Sequence, residues 1–263
     1  MSGWSQVVYT YDGTFTGFLS CVFDSYAHRE QPAAFSTFDE PQSFLWPQRA
    51  VETDEAHANR VLRSFGKLGG EGARLAVRGF LTCLEEKELH LWQFLKLGYE
   101  VGPRVGKMLT DCRVDVLRKA VWHLEHEAHL YKGFVRFSDQ DNFLVAQIEP
   151  KNWVLPLLSG HFTTRFNAER FLIFDRTHSE ALVHQPGQWD IIPMEGLELA
   201  PPGQEERQYR ALWRRFYDTI AIEGRYNPKC RMTHMPKRYW AMMTEFQTEE
   251  SALPGQMERR QKN

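Results

Sequence analysis

The chain has 263 residues, 32 Lys and Arg against 34 Asp and Glu, and a formal charge of -2; that length supports a core of native size in one large domain or two small lobes. The balance excludes a basic field over the whole protein, so any contact with nucleic acid has to come from a local patch. Cys21, Cys83, Cys112 and Cys230 lie far apart with no CxxC spacing, and no stretch reaches the ~18 apolar residues of a membrane span. A cytoplasmic protein with free thiols is expected, away from the membrane and with no cofactor or metal in this chain.

Val7 to Tyr11 alternates as a short strand, Asp12-Gly13 turns the chain, and Thr14 is placed to cap a helix. That helix carries the stripe Phe15, Phe18, Leu19, Val22, Phe23 and Tyr26. Glu30 to Gln48, rich in Pro, Ser and acids, reads as an irregular loop. A second helix starts at Thr53 to Glu55 and stops at Gly66, Gly69 and Gly70. Ala73 to Leu84 and Leu89 to Leu95 hold two further stripes, and a long helix spans Asp111 to Tyr131.

At Gly133 the period changes to two. Strands at Gly133 to Phe137 and Phe143 to Ile148 flank a polar turn, forming a hairpin, and a helix from Pro156 to Phe166 follows. Phe171 to Phe174, Ala181 to His184 and Trp189 to Ile192 then read as a three-strand meander. After Pro201 to Gly203, a helix places Tyr209, Leu212, Trp213, Phe216, Tyr217 and Ile220 inside, with Arg210, Arg214 and Asp218 outside. A final short helix is expected from Pro236 to Phe246.

The expected fold is α+β: a helical N-terminal layer on a five-stranded, largely antiparallel sheet (strand-strand-helix-strand-strand-strand), closed by C-terminal helices. Residues 1–247 read as a single domain, with a helical lobe at about 14–131, a sheet lobe at about 133–193 and C-terminal helices at 204–246. Residues 248–263 read as a disordered tail.

The chemistry concentrates in Arg225 to Trp240, which holds Arg225, Lys229, Arg231, Lys237 and Arg238 and no Asp or Glu. Cations interleaved with Tyr226, Tyr239 and Trp240 suit a phosphate-and-base groove. Lys237 and Arg238 would sit in a first helical turn, where the macrodipole disfavours positive charge unless an anion or a nearby acid such as Glu245 neutralises it. Arg225 and Asn227 join them as phosphate contacts, Tyr226 and Tyr239 as stacking rings, and Trp240 falls on the core stripe.

A second group is Arg136, in a strand, with His161 and Arg165 four apart on one helix face; these can converge on a phosphate. The alternative is an internal salt bridge from Arg136 to Glu149, Asp175 or Glu169. Asp175-Arg176, at the end of an apolar strand, marks either a site or hairpin turn chemistry. His123, His126, Glu127 and His129 have the chemistry of metal ligands, but Glu127 and His129 lie roughly 160° apart around a helix, so one ion cannot take both. Those two residues are instead candidates for general acid or base work, or for fixing neighbouring strands.

Five stretches carry a resemblance: YTYDGTFTGFLSCVF at Tyr9 to Phe23, EAHLYKGFVRF at Glu127 to Phe137, HFTTRF at His161 to Phe166, LWRRFYDTIAIEGRYNP at Leu212 to Pro228 and MPKRYW at Met235 to Trp240. Together they resemble a family of uncharacterised probable DNA-metabolism proteins typically paired with a radical SAM enzyme. Members are similar to a module sometimes fused to a uracil-DNA-glycosylase-like domain. The resemblance implies an auxiliary protein of DNA repair or modification that binds DNA or a processed nucleotide, with the radical SAM partner supplying the iron-sulfur chemistry. Two positions depart from the family pattern: Leu130 replaces a basic residue, and Gly224 separates Glu223 from Arg225. Two other readings stand beside it, an enzyme acting on a nucleobase or nucleoside in its own right, and an adaptor whose basic stretch binds an acidic protein surface.

Overall fold

The computed structural model describes residues 4–38, 44–140, 142–197, 203–219 and 227–246. The chain forms two compact units, Met1–His126 and Glu127–Asn263, with the boundary inside one long helix.

The first unit opens on β1 (Ser5–Tyr11), α1 (Phe15–His28), β2 (Glu30–Thr37) and β3 (Gln48–Ala50), with β1 central and parallel to both neighbours. Thr14 caps α1 as its sequence requires, its hydroxyl accepting the Gly17 N–H at 2.9 Å. The segment from Glu30 to Gln48 is not simply a loop. Its two ends are strands, and the polar sequence EQPAAFST pairs because β1 supplies a buried parallel edge. Glu30 ties all three strands: its carboxylate accepts from Tyr9 Oη on β1 at 2.8 Å and from Arg49 on β3 at 2.7 and 2.9 Å.

Burial alone would raise the Glu30 carboxyl, yet the Arg49 and Tyr9 hydrogen bonds hold it below the ordinary value of 4.5. Glu30→Ala strands the buried Tyr9 hydroxyl, and a loss of about 2 kcal/mol is expected in the urea midpoint at pH 7. A wild-type midpoint would argue against the tie.

The unit continues through α2 (Glu55–Ser64), a 3-10 turn (Phe65–Leu68), α3 (Gly69–Phe80), α4 (Lys87–Val101), a second 3-10 turn (Gly102–Lys107) and the start of α5 (Cys112–Phe134). Asp54 rather than Thr53 caps α2, accepting the His57 N–H at 2.9 Å. The core gathers Phe18, Val22, Leu75, Leu91, Phe94 and Leu117 from these elements, each almost wholly buried.

In the second unit α5 runs a turn past Tyr131 and takes up the start of the expected hairpin strand, so β4 is only Ser138–Asp139. It pairs antiparallel with β5 (Leu144–Ile148). The helix α6 (Leu155–Arg165) is the crossover from β5 to its parallel neighbour β6 (Phe171–Asp175), and β7 (Glu180–Gln185) and β8 (Gln188–Pro193) follow antiparallel. The sheet order is β4-β5-β6-β7-β8, so the fold is α+β with the expected strand order and one parallel pair. Every residue of β6 is buried, as suits a central strand covered on both faces. Phe137, Phe162, Phe166 and Phe171 meet edge-on where α6 covers the sheet.

Helices α7 (Gln204–Thr219) and α8 (Pro228–His234) and two 3-10 turns, Lys237–Met242 and Thr244–Phe246, complete the described chain. The expected helix from Pro236 to Phe246 is thus 3-10 in two pieces, with α8 before it. The orientation expected for α7 is corrected as well. Tyr209, Leu212 and Phe216 are more than half exposed, while Arg210 turns inward, pairing with Glu206 and donating to Ser138 Oγ of β4 at 2.5 Å. Paired and hydrogen-bonded charges share that face with Trp213, whose indole N–H donates to Glu245, and with Tyr217, which meets Phe246 edge-on at 5.6 Å, as expected for those two. The side chain of Asp218, Ile220 and residues 248–263 lie outside the described residues.

Candidate nucleic-acid interface

Glu127 lies in α5, almost fully buried, where the helix passes the loop after β5. Its carboxylate accepts the Lys151 N–H at 3.1 Å, the Asn152 N–H at 3.0 Å and Asn152 Nδ2 at 2.6 Å, and Arg238 stands 3.0 Å away. Both oxygens are therefore committed to holding the loop and the C-terminal turn. The sequence offers either chemistry or the fixing of neighbours for Glu127; this geometry is that of fixing. His129 is exposed and forms no such cluster with Glu127. Among the described residues no group of three or more His, Cys, Asp or Glu is arranged to hold a metal ion.

Arg238 also donates to Tyr239 Oη and, though 41% exposed, is paired with Glu127 and, among the described residues, not with Glu245; the tail lies outside the described residues. Tyr239 is corrected from stacking surface to core: 3% exposed, it meets Tyr131 edge-on at 5.0 Å and Phe134 at 5.1 Å. Trp240 is the partly exposed ring, stacked on Phe246 at 4.5 Å with its indole N–H donating to Met235 O. Lys237 is exposed, its ammonium 5.9 Å from the Trp240 ring. Asn227 caps α8, accepting the Cys230 N–H at 3.0 Å, which occupies the side-chain oxygen. Arg225, Tyr226 and Glu223 lie outside the described residues.

Arg136 does not join His161 and Arg165. Its guanidinium makes two hydrogen bonds to Glu245, at 2.7 and 3.2 Å, and lies over the Trp213 ring at 5.4 Å. The partner is none of the acids expected: Glu149 pairs with Arg176, and Asp175 closes the β6-β7 turn through the Thr177 and His178 N–H groups and the His178 ring. Asp175 is thus turn chemistry, made rigid by burial.

What does gather is a cation cluster that the sequence identifies only in part. His161 and Arg165 share a face of α6, and Lys132, from the last turn of α5, acts electrostatically on the same histidine. Burial, then Lys132 and Arg165, hold the His161 imidazole below its ordinary value of 6.5. Lys132 and Arg165 are exposed, and among the described residues neither is ion-paired. Each cation sits at a helix C-terminus, where the macrodipole contributes roughly 0.3–1 kcal/mol. That accounts for each one singly but not for two cations, unpaired among the described residues, that act on the same imidazole. Sequence spacing does not single out Lys132 because it belongs to a different helix, and only the fold joins the two.

A family model described as a domain of unknown function, DUF4130, matches residues 85–245, more than half of the chain. The chain belongs to the DUF4130 family. No curated protein matches it. The match runs from α4 into the last 3-10 turn, and so includes Lys132, His161, Arg165 and the Glu127 anchor. Four of the five stretches quoted for the resemblance fall inside the DUF4130 region, and the one at Tyr9 to Phe23 falls outside it. No helix among the described residues is long and apolar enough to cross a membrane.

Proposed function

We propose that this DUF4130 protein is an auxiliary nucleic-acid-binding protein of DNA repair or modification, acting with a radical SAM enzyme that carries the redox chemistry. The observation that carries the binding part is the exposed pair Lys132 and Arg165, whose charges both act on His161 and neither of which is ion-paired among the described residues. A phosphate there relieves their mutual repulsion and forms charge-assisted hydrogen bonds. The DNA and radical SAM context rests on the motif resemblance.

Binding is favoured over base chemistry at Glu127 because both of its carboxylate oxygens already accept from the Lys151 and Asn152 loop and face Arg238, which leaves neither free to move a proton. Lys237 and the partly exposed Trp240 offer a further cation and ring for a strand.

The test is single-stranded oligonucleotide binding by fluorescence anisotropy across a salt series. Replacing Lys132 and Arg165 together with alanine is expected to weaken binding and to flatten the log–log salt slope by about 1.4, or ~0.7 for each phosphate no longer neutralised. Because phosphate favours the imidazolium, wild-type affinity is also expected to rise as pH falls below 6.5, and His161→Gln to abolish that rise. An unchanged slope in the double variant removes this surface from the interface. Binding that an acidic polypeptide, but not an oligonucleotide, displaces would favour a protein adaptor instead.

A further inference from the structure

A concavity of the first unit has no part in the surface described above. It is a cavity of about 480 Å³ between α1, α2, the 3-10 turn after α2, and α4, within the roughly 300–1,000 Å³ of small-molecule sites. Phe23 and Tyr26 of α1 and Tyr99 of α4 form its aromatic wall, and Arg60, Ser64 and Lys67 line the α2 side. No carboxylate is among its lining residues.

The aromatic wall is fixed in place. Tyr26 meets Tyr99 edge-on at 5.8 Å and Trp4 at 5.4 Å, with the Tyr26 ring still 38% exposed. Ser64 Oγ donates to the Val61 carbonyl, and its single proton is then spent. The 2.7 Å contact with Tyr99 must therefore run from the phenol to Ser64. That relay, anchored in α2, locks the Tyr99 ring and leaves its oxygen able to accept. Burial pushes both phenols up, so they remain neutral at physiological pH.

The cations are a separate feature. Arg60 lies over the Phe23 ring at 5.6 Å, and the other face contact of that ring is His57, stacked at 3.9 Å. Arg60 and Lys67 are exposed, and among the described residues neither is ion-paired. Glu100 acts on the Tyr26 phenol from outside the lining, which favours placing negative charge on Arg60 and Lys67 and the neutral ring on the tyrosines.

We infer that this cavity binds a nucleoside monophosphate, its base against Tyr26 and Tyr99 and its phosphate on Arg60 and Lys67. Two cations match the charge of about -1.5 to -2 on a phosphomonoester at pH 7, better than they match a single carboxylate. Aromatic faces accept any planar base, so the site selects for a ring joined to a phosphate and not for one base. The inference rests on residues of the first unit and stands or falls apart from the nucleic-acid surface of the second.

The experiment titrates the full chain with deoxyadenosine monophosphate, following ligand-observed NMR and intrinsic tryptophan fluorescence, with deoxyadenosine and inorganic phosphate as comparisons. The monophosphate is expected to saturate below about 1 mM and to bind at least tenfold tighter than either fragment. Arg60→Ala with Lys67→Ala, both at exposed positions, should weaken the monophosphate by about tenfold or more and leave deoxyadenosine unaffected. Tyr26→Ala should weaken both. The inference is overturned if the monophosphate does not saturate, if it binds no tighter than phosphate, or if the folded double variant binds it as the wild type does.

Discussion

Replacing Glu127 with alanine is expected to cost the second unit about 3–5 kcal/mol, chiefly from three N–H donors left without an acceptor, since Arg238 is 41% exposed and can be solvated. The variant leaves the Lys151 and Asn152 amides and Asn152 Nδ2 without an acceptor, and removes the carboxylate that Arg238 packs against. Hydrogen exchange reads the effect at the right place: protection of the Lys151 and Asn152 amides should fall roughly a hundredfold to a thousandfold. Glu127→Gln keeps one oxygen but turns an NH₂ toward donors, so it should recover only part of the loss. Protection within threefold of wild type would show that Glu127 is not the anchor. Weakened oligonucleotide binding at full protection would return it to a direct role.

Removing Glu245 should be the next most costly change, at about 2–4 kcal/mol. Its side chain is 1% exposed and accepts from Arg136 twice and from Trp213 Nε1 at 3.2 Å. Arg136 is 22% exposed, so part of its charge is already solvated, and the figure stays below that for Glu127 because fewer buried N–H donors are left without an acceptor. Burial, the largest influence, pushes the Glu245 carboxyl up; the Arg136 hydrogen bond, its own backbone N–H, the Arg136 charge and the Trp213 bond together carry it below 4.5.

A depressed carboxylate stabilises fully above the unfolded value and loses that contribution as pH falls through the lower, folded one. The stability gap between wild type and Glu245→Gln, taken from urea midpoints, should therefore be constant near neutrality and shrink as pH drops below 4.5. A gap that does not change with pH would show that the pair contributes nothing through charge. Because Arg136 lies over Trp213, quenching of Trp213 should change in the same variant.

Local signals are legible throughout. Thr14 caps α1 through Gly17 because the cap needs only a hydroxyl three residues ahead of a free N–H. The stripes of α1 and α5 and the β6–β8 meander can be read from periodicity for the same reason, since each pattern is complete within its own element. The strands β2 and β3 are not legible. Their partner, β1, is distant in sequence, and a parallel pair leaves no turn signature between strands. The face of α7 misleads because pattern assumes that apolar residues turn inward, while here Glu206, Arg210 and Ser138 satisfy one another. Tyr239 and Trp240 exchange roles because a 3-10 turn advances about 120° per residue and not 100°, which rotates neighbouring side chains by a noticeable fraction of a turn over a short run.

By itself the sequence determined the class of fold, the order of the second sheet and the kind of chemistry on offer: cations, rings and scattered acids without a metal or nucleotide-loop signature. Only the tertiary structure decided which cations are already neutralised. Arg136 meets an acid 109 residues away, and Arg238 is taken by Glu127, while Lys132 and Arg165, from two helices, both act on His161 and neither is ion-paired among the described residues. The physical reason is that a charge declares its availability through its neighbours in space, and Coulomb attraction at hydrogen-bond distance joins groups whose sequence separation carries no trace of the pairing.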